Sequence, residues 1–200
     1  MCPLKADSQS YIENENEWTD GTLIYHSSLS YDSEQWNMTY TKSKCPENTT
    51  LYTRVISSGL TFHVCVMFRV FTGKGYGTYA EGQTLCKSDG GYGLTGPLNA
   101  EEYAVFKAEG DGIAKTFNTK DMVFFWIDGV SKAKGEYIYD DESHDGHTGY
   151  PFATGEPNAQ KAGCGIFMLW FELCADYDAG NFDKQFRGAL CRINDVPAVE

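Results

Sequence analysis

The residues best suited to chemistry lie in one short stretch, Gly155-Glu156-Pro157-Asn158. A carboxylate and an amide flank a proline, which stiffens the backbone between them. Hard cations such as Ca²⁺ take carboxylate and amide oxygens as ligands, and the same groups form hydrogen bonds with the hydroxyls of a polyol. The stretch could therefore hold a cation, a polyol or both.

This stretch ends a long acidic loop that contains a second group of candidate ligands. The acidic residues of the loop are Asp140, Asp141, Glu142 and Asp145, and His144 and His147 lie three apart. The acidic residues could form an accessory calcium site and the histidines a zinc site, but the stretch is a glycine-containing loop without an evident third zinc ligand. We favour a solvated acidic loop and a surface histidine pair.

Enzyme motifs are not found. The sequence has no GxSxG or HExxH pattern. Gly91–Gly96 matches GxGxxG, but a helix precedes it and Pro97 follows, so a glycine-rich turn is expected. A net charge of −12 disfavours nucleic-acid binding. We predict a non-enzymatic protein, with a metal-dependent hydrolase using residues 140–147 as the most distant alternative.

Several features are typical of an extracellular protein. The seven cysteines are Cys2, Cys45, Cys65, Cys86, Cys164, Cys174 and Cys191, and no pair has CxxC spacing. Spread cysteines favour disulfides in an oxidising compartment. N-glycosylation sequons begin at Asn37 and Asn48. No apolar run reaches the ~20 residues needed to cross a bilayer. Residues 1–3 are followed by polar residues rather than a signal peptide, so we expect a mature chain with a start methionine, or a fragment.

The remaining pattern predicts strands, then two helices, then more strands. Residues 1–44 form a polar extension, partly ordered at best. Strands are predicted at 51–56, 60–71, 122–127, 136–139, 165–173 and 188–194. A Cys45–Cys65 bridge would staple the first hairpin. Thr78 and Glu81 form a capping box for a helix over 79–87, and Asn99 caps a second helix that ends at Gly110. The order predicts an α+β fold with mostly antiparallel strands.

These residues together resemble a C-type lectin-like domain over about Cys45–Asn194. The matching features, in chain order, are Cys45-Pro46 and Cys65, Glu81 to Glu102 around Cys86, Trp126-Ile127-Asp128-Gly129, Tyr139 and Phe152, Gly155-Glu156-Pro157-Asn158, Cys164, and Arg187-Gly188-Ala189-Leu190-Cys191. The residue pattern is most similar to that of secreted nematode members of the family. Asp128 stands where the family usually has a glycine, and Gly129 comes one place late. The resemblance implies domains at 1–44 (extension), 45–194 (C-type lectin-like domain) and 195–200 (tail).

The resemblance also implies a Cys86–Cys191 disulfide. It places a partner for Cys164 at Asp183, which is not a cysteine. If 165–173 were one straight strand, Cys164 and Cys174 would lie ~30 Å apart, too far for a bridge. Either the strand turns back or Cys174 pairs with Cys2, and both alternatives stay open.

Members of this family read mannose-like sugars through calcium with the EPN tripeptide. The resemblance therefore implies glycan and calcium ligands at Glu156, Pro157 and Asn158, joined by Asn181 and Asp183. The family's acidic residue before Cys164 is missing, and the later triplet differs in spacing. We predict a secreted carbohydrate-binding protein for mannose-type glycans, in which calcium binds weakly or not at all. The alternative is a calcium-independent protein-binding or structural module of the same fold.

Overall fold

The computed structural model describes residues 11–31, 34–133, 136–152, 154–155, 162–168, 173–175 and 183–198. The helices are α1 (Tyr79–Lys87) and α2 (Ala100–Thr116). The strands are β1 (Tyr11–Thr19), β2 (Leu23–Tyr31), β3 (Trp36–Lys44), β4 (Thr50–Val55), β5 (Thr61–Val70), β6 (Gly91–Leu94), β7 (Phe124–Ala133), β8 (Glu136–Ile138), β9 (Gly165–Met168), β10 (Leu173–Ala175), β11 (Phe186–Ile193) and β12 (Val196–Pro197).

Local capping residues set both helix starts, as predicted. Glu81 N–H donates to the Thr78 side chain, and the Glu81 carboxylate accepts from the Thr78 N–H, which completes the capping box of α1. Asn99 accepts from two backbone N–H groups at the start of α2. The helices therefore begin where the sequence places them.

The predicted end of α2 at Gly110 is wrong, because the helix continues to Thr116. Gly110 lies buried within the helix, packed against the Phe68 and Phe125 rings of the sheet. The helix ends before Asn118, whose φ is 47°. A left-handed residue of this kind stops a helix.

The main sheet runs in the order β10-β9-β7-β11-β5-β4, with β6 paired to β11 and β8 to β7. All pairings are antiparallel except that of β7 with β11. This is the predicted α+β architecture. Gly91–Leu94 is a strand rather than only a turn, because it pairs with the end of β11.

The two faces of this sheet bury separate apolar clusters. Val64, Val66 and Phe68 of β5 pack with Phe106 of α2 on one side. The other cluster holds both disulfides, with Trp126 stacked on Phe186. Alternation of side chains along β5 and β7 accounts for both clusters, because successive residues point to opposite faces.

Cysteine pairing follows the prediction for four cysteines. Disulfides join Cys45 to Cys65 and Cys86 to Cys191. The prediction of a single strand over 165–173 is wrong, because the chain turns back between β9 and β10. Cys174 then lies opposite Phe167 rather than opposite the buried Cys164.

The polar segment before Cys45 contains three long strands where little regular structure was predicted. β1, β2 and β3 form an antiparallel sheet, and β12 of the predicted tail adds to β3. Ile24 is the buried link, because it packs into the cluster around the disulfides. The domain boundaries given above stay a prediction.

Candidate functional site

The C-terminal end of the predicted binding loop is hydrogen-bonded to β7. The Gly163 N–H donates to the Ser131 carbonyl oxygen over 2.8 Å, and the Cys164 N–H donates to Ser131 Oγ over 2.8 Å. Gly155 and Gly163 both have φ of 90°, in the left-handed region that favours glycine. Residues 156–161 lie outside the described ranges. The loop thus ends at a buried, hydrogen-bonded point on the sheet.

Asp128 is a buried carboxylate that fastens the start of the long acidic loop. Its side chain accepts from the backbone N–H groups of Asp140 and Asp141, at 2.9 Å each. Its carbonyl oxygen accepts from the buried Tyr150 hydroxyl over 2.9 Å. The departure from the family's glycine at this position therefore supplies an anchor for the loop.

Gly129 follows at a position where a side chain does not fit. Its φ is 128°, and an added Cβ would lie 2.5 Å from Ile166 and 2.8 Å from Tyr139. Both the backbone conformation and the space require glycine here. The one-place shift of this glycine relative to the family leaves position 128 for the carboxylate.

Arg54 occupies the centre of a buried polar network. Its guanidinium donates to both carboxylate oxygens of Glu102, at 3.1 and 2.9 Å. It also donates to Thr95 Oγ1, to Ser143 Oγ at 2.8 Å and to the Gly96 carbonyl oxygen at 2.9 Å. Arg54 is 0% exposed. The network joins β4, the two residues that follow β6, α2 and the long loop, so it fixes the loop against the body of the domain.

Asp141 extends this network to β11. Its carboxylate accepts from Arg192 at 2.8 Å, from Ser143 and from Thr95, and lies 3.5 Å from the Arg54 guanidinium. Burial raises the pKa of Asp141, but the positive charges around it and the hydrogen bonds it accepts hold that pKa below its ordinary value. Asp141 therefore stays ionised and bound inside the protein.

His144 is buried, so the surface-histidine interpretation is wrong for this residue. Its Nδ1 accepts from the Gly146 N–H over 3.0 Å. Nε2 lies 3.3 Å from an Asp128 carboxylate oxygen, although the two groups are not aligned for a hydrogen bond. We regard the contact as electrostatic. His147 belongs to the short 3-10 turn Gly146–Gly149.

The interpretation of 140–145 as a solvated acidic loop is also wrong for one of its four acids. Asp141 is buried, and Asp145 accepts from the Ser57 N–H and hydroxyl at 2.8 and 2.7 Å. Asp140 accepts from the Gln83 amide at 3.2 Å, whereas Glu142 is exposed. Most of these carboxylates attach the loop to neighbouring segments.

The predicted glycan and calcium ligands lie mostly outside the described residues. Glu156, Pro157, Asn158 and Asn181 are outside, and Asp183 opens the 3-10 turn before β11. Their carboxylates and amides are the donor types that calcium prefers, so the set fits the ion in kind.

The position of Asp183 can be compared with the loop end on β7. Phe186 pairs with Phe124 at the start of β7, whereas the loop ends at Ser131, seven residues on. Between Trp126 and Val130, four residues of β7 lie opposite two residues of β9, so β7 is bulged there. The two points are therefore about five regular steps, or ~17 Å, apart along the strand. The joint binding of one ion by all four ligands remains a prediction.

The sequon asparagines lie on the N-terminal half of the described chain. Asn37 is in β3 and half-buried, and Asn48 is exposed with φ of 64° in the turn before β4. Asn48 is therefore the more accessible of the two.

Sequence reasoning missed the buried network. A signal for Arg54 was present, because it lies two residues after Tyr52 on the same face of β4, and Tyr52 packs against the core. A charged residue at an inward position needs a buried partner. The sequence does not show which carboxylate supplies it, since Glu102 is 48 residues away.

The chain resembles human lithostathine in structure. The TM-score is 0.51 with 16% sequence identity, covering 75% of this chain and 90% of lithostathine. No protein-family model and no curated protein matches the chain. At this identity the likeness concerns the fold alone.

The two helices, the mixed sheet, the two disulfides and this likeness together define an α+β C-type lectin-like fold. Within the part of the chain that the structure describes, no helix is long and apolar enough to span a membrane.

Proposed function

We propose that the chain is an extracellular, non-enzymatic C-type lectin-like protein that binds a mannose-type glycan through Glu156-Pro157-Asn158. The observation that carries the proposal is the fixed loop end at Ser131, within a C-type lectin-like fold. A glycan site needs groups held in place before the ligand arrives, because ordering them on binding costs affinity. We also propose that its nearest kin are the secreted nematode C-type lectins.

Glu156 and Asn158 supply the polar chemistry. The Glu156 carboxylate accepts from sugar hydroxyls, and the Asn158 amide can both donate and accept. Calcium, when bound, would ligate two neighbouring hydroxyls and so select their arrangement. Specificity would then come from how the two side chains pair with those hydroxyls.

An extracellular location agrees with two disulfides and with the sequon at the exposed Asn48. Disulfides persist in oxidising compartments. The hydrolase alternative is weakened, because Asp141, His144 and Asp145 of the 140–147 loop already bind other groups of the protein.

Retention on immobilised mannose, with and without a chelator, tests the proposal. We expect retention with calcium, its loss on chelation, and heat in a calorimetric calcium titration. Glu142→Gln is the matched control, because Glu142 is an exposed acid on the same loop and its loss should leave retention unchanged. Absence of both heat and retention would reject the glycan site.

A double substitution tests whether this loop determines the sugar specificity. Glu156→Gln with Asn158→Asp exchanges the charged and neutral positions of the loop, so preference should move towards galactose. If retention on mannose does not change, the loop does not determine the sugar specificity.

A calcium-independent protein-binding module is the second candidate. It is favoured by the ~17 Å along β7 between the end of the loop and the start of β11, next to Asp183. This separation leaves fewer ligands for an ion. Calorimetry that shows no calcium heat, together with binding to an extracellular protein that a chelator does not affect, would select this candidate.

A further inference from the structure

The small N-terminal sheet exposes an aromatic face that the proposed function does not use. Ile24 points into the core, so its neighbour Tyr25 points to the opposite face. Strand register places on that outer face Trp18 opposite Tyr25, Tyr40 opposite Ser27, Met38 opposite Leu29 and Trp36 opposite Tyr31. Trp36 is 50% exposed, Met38 71% and Tyr40 48%. Large apolar side chains clustered in this way on a sheet face mark an interaction surface.

The rings on this face are held in fixed orientations. Trp18 and Tyr25 stack with centroids 5.5 Å apart and planes inclined by 9°. Tyr40 lies 6.0 Å from both rings, and the Tyr25 hydroxyl donates to Asp20 over 2.6 Å. A second aromatic pair, Tyr31 and Trp36, has centroids 5.2 Å apart. Rings that are already oriented lose little entropy when a ligand stacks on them.

The two ring groups lie at opposite ends of one track. Tyr25 and Tyr31 are six residues apart on β2, so the groups are ~20 Å apart along the strand. Met38 lies between them, and Asn16 and Ser27 provide an amide and a hydroxyl beside Tyr40. The track matches an elongated ligand with apolar faces and polar edges.

The face carries little charge in a strongly acidic chain. Lys42 and Lys44 are on this side, and Lys42 lies 5.9 Å from the Tyr40 ring centroid, whereas Glu15 and Glu17 point to the other side of β1. Two lysines at one end of the face do not suit a nucleic acid or an anionic membrane, which need several cations. The chemistry therefore favours an uncharged ligand.

The shape of the face favours a narrow ligand over a second copy of the chain. Three strands of nine residues have a flat outline of roughly 30 Å by 14 Å, and about 13 of their residues point to this face. A standard protein interface uses about 20–30 residues of each partner. The backbone groups of β2 are already paired on both sides, so an added peptide strand would have to bind at an edge rather than on this face.

From these observations we infer that the outer face of β1–β3 is a second, cation-independent carbohydrate-binding surface, for oligosaccharides of β-linked glucose or N-acetylglucosamine. Equatorial substituents leave only C–H groups on the faces of these sugars, which stack on aromatic rings. Their hydroxyl and amide edges would meet Asn16 and Ser27. This surface lies outside the C-type lectin-like core and does not rest on the Glu156–Asn158 proposal.

Calorimetry of the full chain with short oligosaccharides of each sugar, in the presence of a chelator, tests the inference. We expect binding that the chelator does not change. Tyr40→Ala should weaken it about tenfold or more, as for a central aromatic contact, and Tyr40→Phe should keep it within about threefold because the ring remains. Trp36→Ala should give a separate loss at the other end of the track.

Two controls separate binding from folding and from the other loop. Thr41→Ala changes the opposite face of β3, so affinity should be unchanged. Glu156→Gln with Asn158→Asp should also leave this binding intact, which distinguishes the two sites. Absence of oligosaccharide binding, or affinity unaffected by Tyr40→Ala and Trp36→Ala in folded variants, would overturn the inference. A dimer that these variants dissociate, without sugar binding, would replace it with self-association.

Discussion

Arg54 is a charged residue with no solvent contact whose partners come from several segments of the chain. A buried ion pair adds little net stability over a packed apolar pair, because desolvation offsets the attraction. Removing one partner is costly, since the remaining charge stays buried. The network therefore acts mainly by fixing where the long loop sits, and its energetics should appear when one member is removed.

The substitution Glu102→Leu tests whether removing one partner of Arg54 destabilises the fold. We expect a loss of about 3–5 kcal/mol in the free energy of unfolding, because Arg54 keeps its charge without the bidentate carboxylate. The double variant Arg54→Met with Glu102→Leu should recover much of the loss. Urea unfolding measures both values. The neighbouring exposed Glu101→Leu is the control and should change stability by at most about 1 kcal/mol, since it loses only an interaction with the helix dipole.

Asp141 gives the network a dependence on pH. Its folded pKa is below the ordinary 3.8, so its contribution is present above the unfolded pKa and is lost as pH falls through the folded pKa. We expect the free energy of unfolding to fall below about pH 4. Asp141→Asn should lower stability at neutral pH and flatten the acid limb. If the free energy of unfolding of this variant still falls at acidic pH as in the parent chain, other carboxylates cause the fall.

Residue-level prediction from sequence succeeded where a contact is local. The Thr78 and Glu81 capping box lies within four residues, so its geometry follows from the sequence. The role of Asp128 could not be predicted, because its partners are 12 and 13 residues away and are reached only after the loop folds back. The roles of Glu156 and Asn158 rest on motif resemblance and stay predictions.

At the scale of elements, two glycines show opposite constraints. Gly129 in β7 has φ of 128° and no room for a Cβ, whereas Gly112 in α2 is exposed with open space around it. Glycine in a helix costs about 0.5–1 kcal/mol relative to alanine. Replacing glycine by alanine should therefore change the free energy of unfolding in opposite directions at these two positions.

We expect Gly112→Ala to raise the free energy of unfolding by about 0.5–1 kcal/mol. Gly129→Ala should lower it by at least about 1–3 kcal/mol, because of the strained backbone and the contacts with Ile166 and Tyr139. Denaturant midpoints of the two variants give the comparison. A stabilising Gly129→Ala would contradict the packing described for β7.

Strand prediction failed in the N-terminal sheet for a physical reason. In β3 the large side chains Trp36, Met38 and Tyr40 alternate with polar ones, but they face solvent instead of the core. Alternation is the strand signal, yet the usual assumption that the apolar face is buried does not hold here. The predicted strand 165–173 failed because a hairpin turn interrupts a continuous apolar run.

At the scale of the whole molecule, the two disulfides restrain very different lengths of chain. Cys86–Cys191 spans 105 residues and Cys45–Cys65 spans 20. In the chain-entropy model the stabilisation grows slowly with the length of the closed loop. The long disulfide connects α1 with β11, so it holds together the two halves of the core.

We expect Cys86→Ala with Cys191→Ala to cost about 4–5 kcal/mol and Cys45→Ala with Cys65→Ala about 3 kcal/mol. Thermal and urea unfolding of the two double variants would measure the difference. An equal or reversed order would mean that native packing around the sulfurs, rather than loop closure, dominates.

The pairing of β12 with β3 has a mechanical consequence. Val196 and Pro197 lie opposite Lys44 and Ser43, and the Ala198 N–H donates to the Lys42 carbonyl oxygen over 3.0 Å. A tensile force applied between residues 11 and 198 would load opposite edges of the same four-stranded sheet. The two-residue β12 would peel away first, and the cross-linked core behind it would be shielded from the early extension.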